Sequence, residues 1–137
     1  MPLSDILSCS ADQLEEAITH EEPYSLGEWY YAKGVTGIEL CKLGVLLGVG
    51  SYSELHGAFD LVGEPLDEGP WPEKMHEGLL QRLASIEDDE IETVVPDWAK
   101  IEEFRGTWTA QVLTDYLKGL REFLIANEGP FFLINAL

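Results

Sequence analysis

The chain has 137 residues, with 26 Asp and Glu against 8 Lys and Arg, a formal charge of −18 at neutral pH. Hydrophobic residues make up 45% and aromatics 10%, enough to close one core in the usual single-domain size range, so the charge does not imply disorder. Direct nucleic-acid binding is excluded, because Lys33, Lys42, Lys74, Arg82, Lys100, Arg105, Lys118 and Arg121 are scattered rather than gathered into a phosphate-binding patch.

The longest apolar run, Ile38 to Gly50, carries Glu39 and Lys42 and is too short to cross a bilayer. The first residues show no basic segment followed by an apolar stretch. Cys9 and Cys41 do not make the dense framework of a small secreted domain. A soluble cytoplasmic protein is expected.

Ser10-Ala11-Asp12-Gln13 reads as a capping box opening a first helix, with Leu14, Ala17 and Ile18 on one face and Pro23 ending it. Tyr24 to Lys33 is an aromatic patch read as a buried loop or irregular helix. A second capping box, Thr36-Gly37-Ile38-Glu39, opens a helix apolar on nearly every side, which places it in the middle of the fold. Gly44 and Gly48 on it are spaced to admit a close neighbour. Ser51-Tyr52-Ser53-Glu54 opens the next helix, carrying Leu55, Ala58 and Phe59 and ending near Gly63.

Glu64 to Pro72 reads as a loop, with Pro72 in the first position of another helix. Met75, Leu79, Leu83 and Ile86 form a stripe at helical spacing on it. Asp88 or Asp89 caps the following helix, whose inward residues are Ile91, Val95, Trp98 and Ile101; Pro96 should kink or split it, and Gly106 closes it. The last helix runs from about Trp108 to Asn127, with Val112, Leu113, Tyr116, Leu117, Leu120, Phe123 and Leu124 inward, and stops at Gly129-Pro130. The tail Phe131-Phe132-Leu133-Ile134 either packs on the bundle or pairs as a short strand. The expected fold is an all-α single domain, residues 1–137, a bundle of about five to seven helices.

Motifs for chemistry are sparse. His20, His56 and His76 each have a carboxylate at helical reach, and Glu73-x-x-His76 has the spacing of di-iron bundles. Such sites need two copies, and there is only one, so exposed or capping histidines are expected and no metal. Cys41 reads as a buried small hydrophobe and Cys9 as a partly exposed thiol. Gly48-Val49-Gly50-Ser51 is neither a dinucleotide loop nor a phosphate loop nor a nucleophile elbow. No cofactor and no catalytic residue is assigned.

The acidic run Glu87, Asp88, Asp89, Glu90 and Glu92 has two readings: a solvated helix face helped by the helix dipole, or a docking surface for a basic protein. Trp98 or Trp71 would serve as its apolar anchor.

Leu80-Gln81-Arg82-Leu83-Ala84-Ser85-Ile86-Glu87-Asp88-Asp89-Glu90-Ile91, followed by Trp98-Ala99 and Glu102-Glu103, resembles a pattern in small uncharacterised bacterial proteins. There a leucine-rich helix ends in an acidic cap, and a Trp-Ala-x-x-Glu-Glu segment precedes a long C-terminal helix. Pro96 departs from that pattern, where the helix is usually unbroken. The resemblance implies a bacterial all-helical protein and brings no activity and no functional residues.

The leading functional expectation is a small acidic protein-binding module, not an enzyme, of the immunity-like kind that neutralises a basic partner such as a cationic nuclease toxin. An assembly subunit that forms a homodimer through the apolar tail is the alternative, and a metal-dependent enzyme comes third.

Overall fold

Phe131 to Ile134 carry too much hydrocarbon to lie in water, and they do not extend a helical bundle. They belong to strand β5 (Phe131–Ala136), in the middle of an antiparallel sheet. On one side β5 pairs with β1 (Leu3–Ser8), placing Ile6 opposite Leu133 and Leu7 opposite Phe132. β2 (Glu28–Tyr30) flanks β1; β4 (Trp71–Lys74) and then β3 (Asp60–Leu61) lie beyond β5. The order of the five described strands is β2-β1-β5-β4-β3. The fold comes from a computed structural model that describes residues 3–10, 12–14, 28–30, 35–61, 71–104 and 108–136.

The fold is therefore mixed α/β, and the all-α expectation is corrected. The reason lies in burial. Ile6 and Leu133 point into the main core, while Leu7, Cys9, Phe132 and Ile134 pack with Leu14 in a second, smaller cluster on the other face. A strand covered on both faces has no polar–apolar alternation to betray it. The described parts of β2, β3 and β4 are too short to show a period. Tyr24 to Lys33, read as a loop or irregular helix, contains β2; the rest of that patch, like the first helix beyond Leu14, lies outside the described residues.

Helix α1 (Gly37–Leu46) begins as its capping box requires: the Thr36 hydroxyl accepts from the Ile38 amide at 3.3 Å, and the Thr36 amide donates to Glu39 at 2.9 Å. Its end is a Schellman turn, in which Gly48, at φ 76, donates to the Val45 carbonyl and Val49 donates to that of Gly44. The two glycines thus do different jobs. Gly48 reverses the chain, and Gly44 lets α2 (Tyr52–Ala58) approach, since a Cβ there would stand 2.7 Å from Leu55 Cδ1. Ser51 caps α2, and β3 ends it well before Gly63.

Pro72 lies in β4 rather than opening a helix. Among the described residues β3 pairs with Glu73 and Lys74, and Pro72 lies opposite Ile134 of β5. Helix α3 (Glu77–Ala84) starts later, with His76 Nδ1 accepting from the Leu79 amide at 2.9 Å. Met75, Leu79, Leu83 and Ile86 are all buried, as the stripe predicts. Helix α4 (Asp88–Trp98) is capped by Glu87 rather than by either aspartate, and it stays one element through Pro96, which falls in its last turn. A 3₁₀ turn at Glu102–Phe104 leads toward α5 (Ala110–Ala126), capped by Thr109. Val112, expected inward, is 45% exposed.

The α helices close the main core against one sheet face. Fully buried Trp98 sits at its centre, edge-on to Phe104 at 5.1 Å, and its indole Nε1 donates to the Glu39 carbonyl at 2.9 Å. Gly119 leaves α5 open to Tyr30 from the sheet, whose hydroxyl donates to the Tyr116 carbonyl at 2.6 Å.

Candidate functional site

The acidic run occupies the first turns of α4, where carboxylates suit the positive end of the helix dipole. Two of the five acids are neutralised within the chain. Asp88 pairs with Arg121 at 2.8 Å, and that hydrogen bond holds its carboxyl below the usual range. Glu90 pairs with Arg82, which likewise lowers it. Glu87 and Glu90 also close the α4 capping box. Much of the run is thus cap and clamp, tying α4 to α3 and α5, rather than open charge. Asp89 and Glu92 are exposed, with no ion pair among the described residues.

Asp89, Thr93 and Asp97 recur at every fourth position and share one face of α4. That face forms one wall of a groove of about 320 Å³, and the end of α1 forms the other. Leu46, Leu47 and Val94 supply apolar lining; Asp89 and Asp97 supply charge. Leu46, the last residue of α1, is 42% exposed. No basic residue stands in the last turn of α1 to offset the negative end of its dipole. Arg82 lines the groove but is held by Glu90. Glu92 is not part of the lining.

Of the two tryptophans expected as anchors, Trp98 is not available here. Trp98 is 0% exposed and serves the core, so no partner can grip it. Trp71 lies in β4, and the placement of its side chain is outside what is described. Of the apolar lining, Leu46 is 42% exposed, whereas Val94 is 7% exposed and belongs to the main core. The only sequence hint was an apolar pair at the far end of the α1 run.

A second group escaped the sequence reading because it joins residues remote along the chain. Glu73 and Asn135 lie diagonally across the β4–β5 pairing, on the same sheet face, and Asn135 Nδ2 donates to Glu73 Oε1. His56, on α2, is close enough to pull the Glu73 carboxyl down, but burial outweighs both effects and raises it. Cys41, on α1, is fully buried, and burial together with the Glu73 charge pushes its thiol up to about 11. Such a thiol is protonated at neutral pH, and no hydrogen bond joins it to His56 among the described residues, so thiol chemistry has no footing. A lone Asn in an apolar tail was the available signal.

The helical Glu73–His76 pair does not exist, because Glu73 is on a strand and His76 caps α3. Among the described residues no group of His, Cys, Asp and Glu could hold a metal ion. Cys9, expected partly exposed, is 7% exposed and belongs to the smaller core. No described helix is long and apolar enough to cross a membrane. Comparison with protein-family models, with curated proteins and with solved structures finds no match to the chain.

Proposed function

We propose that the chain is a small acidic protein-binding module that captures a basic partner in the groove between α4 and the end of α1. The single observation that carries this reading is the groove's composition. Asp89 and Asp97, without ion pairs among the described residues, flank the apolar surface of Leu46, Leu47 and Val94. The net charge of −18 steers a cation toward it, and the carboxylates orient the encounter. A Lys or Arg then lays its aliphatic stem on Leu46 and Leu47 while its head meets Asp89 or Asp97. Neutralisation of a cationic nuclease is one use of such a module, since carboxylates in a phosphate-binding groove block substrate.

The test is binding of a basic protein recovered from the native cell at low salt, followed across a range of salt concentration. Asp89→Asn with Asp97→Asn should weaken binding and flatten its salt dependence, while Glu128→Gln, away from the groove, should leave both unchanged. Equal slopes for the double variant and the parent chain would refute the groove as the docking site.

A further inference from the structure

A separate cleft of about 450 Å³ opens where the start of α1 meets α2, β4 and β5. Its volume falls within the range of small-ligand sites, about 300–1,000 Å³, and such sites combine an apolar lining with a few convergent polar groups. Ile38 and Phe59 supply the first; His56, Glu73 and Asn135 supply the second. Glu73 is the unusual member. It is half-buried, and among the described residues its carboxylate accepts one hydrogen bond, from Asn135, and has no ion pair. A carboxylate has roughly four acceptor positions, so this one, which lines the cleft, keeps capacity beyond the Asn135 bond.

The lining selects the ligand's charge. An anion would meet two carboxylates, Glu73 and Glu39. It would also find the Thr36 and Ile38 amides at the start of α1 already used by the capping box. A metal ion lacks a ligand set among the described residues. An organic cation meets neither obstacle, and the field of the whole chain concentrates cations.

We propose that this cleft binds a small primary alkylammonium compound, its ammonium on Glu73 and His56 and its hydrocarbon against Ile38 and Phe59. The ammonium supplies a full counter-charge to a half-buried carboxylate that has no ion pair among the described residues. A ring nitrogen of His56, which lines the same cleft, can accept a second N–H. Ile38 is 43% exposed and Phe59 8%, so the alkyl chain runs from an open rim to a buried floor.

The probe is n-butylammonium, titrated into the whole chain and followed by amide and side-chain NMR. Saturable shifts centred on Ile38, His56, Glu73 and Asn135 are expected, with n-butanol giving none. Glu73→Gln keeps the shape and the Asn135 bond but removes the charge, and should weaken binding by about tenfold or more. His56→Ala, at an exposed position, should weaken it less. Retained dispersion in the same spectra shows that each variant is folded. Asp89→Asn with Asp97→Asn should leave butylammonium affinity unchanged, which separates this site from the groove on α4. Shifts spread over the acidic surface and insensitive to Glu73→Gln, or no saturable shift at all, would overturn the proposal.

Discussion

Leu133→Ala probes the central strand directly. Leu133 is fully buried in β5, with β1 on one side, β4 on the other and the helical core beneath, so the surroundings have little room to collapse into the space it leaves. A Leu→Ala change of this kind costs about 2–5 kcal/mol, and a poorly collapsible site belongs in the middle or upper part of that range. Against a typical total of about 5–15 kcal/mol, a loss of about 3 kcal/mol is a large share. With a urea m-value of about 2 kcal/mol/M, the unfolding midpoint should fall by about 1.5 M. Ile125→Ala, in the last turn of α5 at 64% exposure, is the matched control and should change stability by under about 0.5 kcal/mol. Circular dichroism in urea gives the midpoints, and light scattering on the same samples gives the mass. A Leu133→Ala midpoint no lower than that of Ile125→Ala, with a change in mass, would mean that the tail serves assembly and that the sheet is wrong.

Three further outcomes follow from local geometry. Gly119→Ala gains about 1 kcal/mol of helix propensity, but its Cβ would stand 2.7 Å from the Tyr30 hydroxyl; lost bonding to Tyr116 and overpacking should leave the variant about 1–2 kcal/mol less stable on thermal denaturation, and a more stable variant would contradict the Tyr30 contact. Cys9 and Cys41 are buried and burial raises both thiols, so neither should react with a thiol reagent at neutral pH until the chain unfolds; rapid native labelling of either would count against the corresponding cluster. Glu73 has a raised carboxyl, so between its unfolded and folded values the native state holds more protons and stability falls as pH rises; Glu73→Gln should therefore be more stable than the parent chain at pH 7, with the advantage gone below about pH 4, and a pH-independent difference would refute the burial argument.

Local signals in the sequence were read well where they were complete in themselves. The Thr36 capping box, the Ser51 cap, and the stripe of Met75, Leu79, Leu83 and Ile86 all appear where the residues put them. Pairing between remote segments was not legible. β1 and β5 come from opposite ends of the chain, and their double-sided burial removes the alternation that marks a half-exposed strand. Pro72 misled because the first turn of a helix is not the only place that suits a residue without an N–H; here it lies in β4. The acidic run was found, but not its division of labour, because Arg82 and Arg121 reach it from other helices. Glu73 and Asn135 became neighbours only once β4 was laid against β5.

The docking account is tested most directly by the footprint of a basic partner on the chain's NMR spectrum. Bound partner should perturb Leu46, Asp89, Val94 and Asp97 together, at the junction of α1 and α4. Perturbation centred instead on α5 or on the outer strands, with those four residues silent, would contradict it.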